Sequence, residues 1–363
     1  MNIPQLPSDD TLASNTGYDS QNRSKLIPSK YSCKVDWLDF TLRNVAGPIE
    51  AYELVNCLEI SLCRNLHFCA NHAAFNGITW DGSGRSEDGV LTWYKAPTVD
   101  DCGEYVAGSL KFAFPGDALT PLISERLLTF FAEMGDDHPI DCTRIDIALD
   151  DHEKFIKLGK IEHARRGGHF FNCSHSERIS SKRRGEDEAV TIYFGSRKSD
   201  KRLRIYDKTL ESKGKVFGNR WEAQFRRKAA GEAFRFWCTE WKFSPSTVSN
   251  ALARLVLGII DFRKRGDDDD DRHRCEPLPW FSALIKAVDA EPMRIVVQPE
   301  EKTMQRSINW VNRSVASTLA MIKISLADEF LPYIERMVTE GGAKLSNMRR
   351  EVAYLTGQHE LLY

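Results

Sequence analysis

No apolar run in this chain is long enough to span a bilayer, and its first ten residues, MNIPQLPSDD, lack both the basic start and the apolar stretch of a secretory signal. A cytoplasmic protein without membrane association is expected. Cysteine is present but unorganised: the nine cysteines contain no CxxC pair and are odd in number. That argues against a disulfide framework, and reduced, mostly buried thiols are expected. There is no internal repeat and no His-apolar-His triplet, and a net charge of −2 excludes a generally basic protein. With 42% hydrophobic and 28% charged residues over 363 positions, the composition is that of a soluble globular chain, long enough for one large domain or two smaller ones.

The small net charge hides a division. Residues 160–228 hold 19 Lys and Arg against 9 Asp and Glu, while the rest of the chain carries 31 against 43. A basic middle between acidic flanks points to a local polyanion site. At its centre lies TIYFGSRKSDKRLRIYDK, residues 191–208. The spacing predicts a strand over 191–194, a turn over 195–200 and a second strand over 202–208. On that second strand Leu203 and Ile205 share one face, and Arg202, Arg204, Tyr206 and Lys208 share the other. A tyrosine among cations suits a nucleophile for a phosphodiester, because the cations favour the phenolate and attract the phosphate. An edge-strand tyrosine beside ordinary surface cations fits the same segment equally well.

Two further strands repeat the pattern. Over 144–150, Ile145, Ile147 and Leu149 face the core, with Arg144, Asp146, Ala148 and Asp150 opposite. Over 220–226, Trp221, Ala223 and Phe225 face the core, with Arg220, Glu222, Gln224 and Arg226 opposite. If the three strands are neighbours, their polar groups converge on one surface. Carboxylates there suit Mg²⁺ or Mn²⁺, with Asp146 and Glu222 as candidate ligands and Asp150 as a third. Arg144, Arg197, Lys198, Lys201, Arg202, Arg204, Lys208, Arg220 and Arg226 are the candidate phosphate contacts. The competing reading pairs Asp146 and Glu222 with Arg144 and Arg220 as structural ion pairs. Cys63, His67, Cys69 and His72 match no standard zinc spacing, and His169 and His175 read as solvated loop histidines.

Along the chain, residues 1–30 read as a flexible polar tail. Strands are expected at 33–42, 90–94, 105–114 and 143–149, and helices at 49–66, 118–134 and 153–163. A basic loop covers 165–184. The aromatic stretch 234–241 is left as a short segment. Helices are expected at 246–263, 277–288, 303–322, 326–339 and 344–355, with a solvated acidic run at 267–271 and a short strand at 293–297. The fold class is α+β: an antiparallel or mixed β-sheet domain with flanking helices over 31–229, then a mostly helical region over 230–363.

RIDIALDD (144–151), TIYFGSRKSDKRLRIYDK (191–208) and RWEAQFRR (220–227) resemble the signature blocks of the Rep-trans replication initiation factor family. VDWLDFTL (35–42) and GSLKFAF (108–114) are similar to its earlier strands, and LVLGIIDFRKR (255–265) with LPWFSAL (278–284) to the helical tail of its filamentous-phage branch. The resemblance implies a rolling-circle initiator that binds a replication origin and nicks one strand. Tyr206 would attack, giving a 5′-phosphotyrosine and a free 3′-OH primer, with a divalent metal at Asp146 and Glu222. Tyr193 is the rival nucleophile, its neighbours Ile192 and Phe194 pointing instead to a role beside the core. A homodimer and a host helicase partner are expected. An origin-binding protein without cleavage is the alternative. An RNA-binding protein is disfavoured because the polar strand faces carry charges rather than exposed stacking aromatics.

Overall fold

The computed structural model describes residues 30–69, 73–75, 78–100, 103, 105–134, 137–181, 189–265, 274–296, 308 and 310–343. Two compact units divide the chain, one ending at Val297 and one starting at Gln298. In the first, thirteen strands are described: β1 (Tyr31–Val45), β2 (Ala73–Phe75), β3 (Ile78–Trp80), β4 (Gly82–Arg85), β5 (Leu91–Lys95), β6 (Thr98–Val99), β7 (Tyr105–Val106), β8 (Gly108–Pro115), β9 (Ile140–Asp151), β10 (Ser176–Ser181), β11 (Ala189–Phe194), β12 (Lys201–Asp207) and β13 (Asn219–Arg226). Nine of them form one antiparallel sheet in the order β10-β11-β12-β13-β9-β1-β8-β5-β4. The three strands singled out in the sequence, β9, β12 and β13, are neighbours at its centre.

Helices α1 (Pro48–Leu62), α2 (Pro121–Met134), α3 (Leu158–Arg166), α4 (Lys208–Glu211), α5 (Arg227–Phe243), α6 (Val248–Leu257) and α7 (Pro279–Val288) complete this unit. The even positions of β1 from Leu38 to Leu42 and the odd positions of β9, β12 and β13 put Leu38, Phe40, Leu42, Ile145, Ile147, Leu203, Ile205, Trp221 and Phe225 into one core. Ring contacts run from the sheet to the helices: Phe40 to Phe131 of α2 at 4.9 Å, Phe131 to Phe234 of α5 at 5.1 Å, and Phe262 to Phe194 and to Phe281 of α7, both at 5.3 Å. A bulge in β1 displaces Asp36 from the register between Val35 and Trp37. It keeps Val35 and Leu38, three residues apart, on the same core face.

The structure departs from the expected elements in several places: the helix expected over 153–163 is α3, starting only at Leu158, and the strand expected over 105–114 is split into β7 and β8. The aromatic stretch 234–241 lies in α5, because Phe234 and Trp237, three apart, share its buried stripe. The helix expected to Arg263 ends at Leu257. At Gly258 a Cβ would lie against the carbonyl oxygen of Met293, and the following residues instead bridge Asp261 to Phe171. Residues 293–296 are not a strand; the Met293 N–H bonds the Arg254 carbonyl that ends α6. Part of the basic loop is the edge strand β10, paired with β11 from Ser176 to Ser181. The boundary expected after Ala229 falls inside the first unit, whose core includes Ala230, Phe234, Trp237 and Leu252.

The second unit contains α8 (Ala316–Leu326) and α9 (Phe330–Ala343), with a wide π turn at Val311–Val315 and a 3-10 turn at Ala327–Glu329. The helix expected over 303–322 is described only from 308. The acidic run 267–271 and the helix expected over 344–355 lie outside the described residues.

Candidate active site

The antiparallel register sets polar residues in rows across the second face of the sheet. One row reads Tyr193, Arg204, Glu222, Ala148 across β11, β12, β13 and β9. The next reads Tyr206, Arg220, Asp150, and a third Arg202, Gln224, Asp146, Trp37, the last on β1. Side chains directly opposite on antiparallel strands lie about 5 Å apart at Cβ, so each row brings its members into contact.

Glu222 is the centre of the contacts. Its Oε2 accepts from Arg204 Nη2 at 2.5 Å and from the Tyr206 hydroxyl at 3.2 Å. Both Tyr206 and Glu222 are buried, at 6% and 1% exposure. Burial raises the Glu222 carboxyl above the ordinary glutamate range, with Asp146 and Asp36 adding to the rise and Arg204 opposing it. Burial also raises the Tyr206 phenol, with Glu222 adding to it and Arg204 and Arg220 opposing. The cations expected to favour the phenolate are present, yet desolvation and the Glu222 carboxylate outweigh them, and the hydroxyl donates to Glu222.

The other carboxylates are held by guanidinium groups. Arg220 binds Asp150 through Nε at 2.6 Å and Nη2 at 2.9 Å, and Asp36 through Nη1 at 2.8 Å. Arg144 binds its strand neighbour Asp146 at 3.1 and 2.5 Å, and Gln224 donates to the same carboxylate at 3.3 Å. Among the described residues no three Asp, Glu, His or Cys side chains come together as a metal ion requires. As arranged, Asp146, Asp150 and Glu222 do not fit one, because guanidinium groups occupy the positions a cation would take. Cys63, His67 and Cys69 form no such group either, and His72 lies outside the described residues.

The candidate phosphate contacts divide. Arg202 and Arg204 stay on the face, and each has a buried Nε–H with no partner; Arg202 also pairs with Glu177. Arg197 and Lys198 are exposed in the turn, and Arg226 donates to the Arg197 carbonyl at 3.1 Å. Lys208 pairs with Glu211 at 2.6 Å, its Nζ 5.9 Å from the Tyr206 ring centroid. Lys201 leaves the face: its Nζ donates to the Ile295 carbonyl at 3.0 Å. Arg220 is buried between two carboxylates and acts as a clamp. His169 Nδ1 bonds the Arg265 N–H at 3.2 Å, away from Glu222. Tyr193 shares the face with Tyr206, since only its neighbours Ile192 and Phe194 enter the core.

Sequence reasoning missed Asp36, Trp37 and Asp39. Trp37 and Asp39 are legible in VDWLDFTL as the positions alternating with Leu38 and Phe40, whereas Asp36 reaches the site only through the bulge, which period-two alternation does not encode.

Comparisons with known proteins bear on the family and the fold. The replication initiation factor family model, Rep_trans, matches residues 140–338, a span that holds β9, β12 and β13. A protein of Bacillus subtilis (strain 168) described as a candidate DNA relaxase, NicK, is 27% identical over 232 residues, 60% of this chain. The match covers 59% of that relative's own length. The solved structure of the rolling circle replication initiator protein from Geobacillus stearothermophilus has the same fold, with a TM-score of 0.52 over 74% of this chain and all of that one, at 17% identity.

Proposed function

The chain belongs to the replication initiation factor family, and from that premise we propose that it is a rolling-circle DNA replication initiator, a nicking-closing enzyme that binds an origin and cuts one strand through Tyr206. The observation that carries this reading is the Tyr206 hydroxyl donating to Glu222 on a face that also holds the guanidinium groups of Arg202 and Arg204. Glu222 is the base. As the phenol oxygen forms its bond to phosphorus, its proton passes to Glu222 and the bond to the 3′ oxygen breaks; that oxygen takes a proton from solvent. The products are a 5′-phosphotyrosine and a 3′-OH primer. One phosphodiester replaces another, so rejoining needs no ATP. Arg202 and Arg204 supply charge and donors to the phosphate oxygens.

Mg²⁺ or Mn²⁺ is retained as a proposed cofactor on the family resemblance alone, and no step is assigned to it. A homodimer and a host helicase belong to the same proposal. The test is incubation with a supercoiled plasmid carrying the protein's own origin, in EDTA and with either cation, followed by denaturing electrophoresis and mass spectrometry. A nucleotide adduct on Tyr206 is expected. Nicking that survives Tyr206→Phe would remove this residue from the mechanism, and binding without nicking would leave an origin-binding protein.

A further inference from the structure

Besides the cations around the Tyr206 ring, three cation–aromatic contacts lie on this face of the sheet. The Arg202 guanidinium sits 3.8 Å from the Tyr193 ring centroid, Arg144 4.5 Å from Trp37, and Lys111 Nζ 5.8 Å from Trp93. The register puts them in a band across β11 and β12, then β9 and β1, then β8 and β5. Their exposure differs. Trp93 is buried against Trp80, at 7%, whereas Tyr193 and Trp37 are half-buried. Trp37 is also fixed in orientation: its Nε1–H donates to Asp39 Oδ1 at 2.5 Å, and it sits directly opposite Asp146. Three inter-strand spacings, about 14 Å, separate its strand from that of Tyr206.

These aromatics overturn the argument that the polar face offers no stacking groups. That argument considered three strands; β1 and β11 add an indole and a phenol. An oriented aromatic with a guanidinium over its ring, in a band that passes beside a proposed cleavage site, has the composition of a single-strand track: cations follow the backbone, and a base joins the indole–guanidinium pair.

We propose that the single strand flanking the cut crosses the sheet along this band, with one base stacked on the indole of Trp37. The occupant is single-stranded DNA, and the proposal rests on the nicking reading for what lies at the other end of the track. Duplex DNA does not offer the face of a base to a flat sheet, so the contact separates the two forms.

The experiment uses the full chain with Tyr206→Phe, which removes cleavage from the measurement. The probe is fluorescein-labelled oligothymidylate, single-stranded or annealed to oligoadenylate, titrated by anisotropy. Trp37→Ala is expected to weaken single-strand binding by roughly tenfold, the loss of one base–aromatic stack, and to leave duplex binding unchanged. Trp37→Phe, which keeps a ring, is expected to restore most of the affinity while losing part of the tryptophan fluorescence quenching seen on binding. Unchanged single-strand affinity in Trp37→Ala, equal loss for both forms, or undiminished quenching in a folded Trp37→Phe would each overturn the proposal. So would tighter binding of oligouridylate, which would assign the face to RNA. The nicking reading stands or falls separately, on the Tyr206 adduct.

Discussion

Glu222 accepts from both Tyr206 and Arg204, and that sharing sets the expected pH behaviour. A general base works only when ionised, and burial holds this carboxyl above its ordinary value of 4.5. Single-turnover nicking should therefore fall on acidification, with a midpoint above that of an exposed glutamate. It should not need the alkaline pH at which a phenol ionises alone. Glu222→Gln should remove the acid limb and slow nicking by on the order of 10²–10⁴, the usual worth of a positioned base. A limb that persists in that variant would place the base elsewhere. Tyr206→Phe should abolish nicking and keep DNA affinity within a few-fold. Arg220 plays a structural part instead, closing a buried network with Asp150 and Asp36 on either side. Arg220→Ala should lower unfolding free energy by about 3–5 kcal/mol in urea, because buried Asp150 then loses its counter-charge and Asp36 keeps only Lys34. A loss below about 1 kcal/mol would mean that water reaches them.

At the scale of elements, the β11–β12 turn and the β1 bulge decide which side chains reach the face. Gly195 opens the turn at φ +96°, and a Cβ there would lie 2.8 Å from the Lys201 carbonyl oxygen. The turn presents Arg197 and Lys198 to solvent while Lys201 points to Ile295. Neutralising Lys198 should reduce the salt dependence of DNA binding by about one in the logarithmic slope, the value of one phosphate contact. Lys201→Gln should leave that slope where it is. Binding isotherms at several salt concentrations read both outcomes, and equal slopes for all three proteins would take the turn out of the interface. The bulge acts on the opposite side of the site. Without its extra residue, Asp36 would not meet Arg220 and Trp37 would be out of phase with Asp146.

The sheet unit runs on to Val297 because α5, α6 and α7 and the residues up to Ile295 bury side chains in its core. A chain ending at Val297 should keep a cooperative melt close to that of the full protein. One ending at Ala229 should not fold, since it exposes the core residues that meet Phe234, Trp237 and Leu252; circular dichroism on both decides. The sequence alone determined the three central strands, their polar and apolar faces, and the family blocks that carry Tyr206, Asp146 and Glu222, because period-two alternation is local and survives in any context. It also showed a basic middle in a nearly neutral chain. Only the tertiary structure decided that β9, β12 and β13 are neighbours, that Glu222 meets the tyrosine as an acceptor, and that burial raises the phenol above its ordinary range. Those outcomes depend on burial and on partners far apart in the chain, such as Asp36 with Arg220. Desolvation is a property of packed surroundings, and no spacing of residues encodes it.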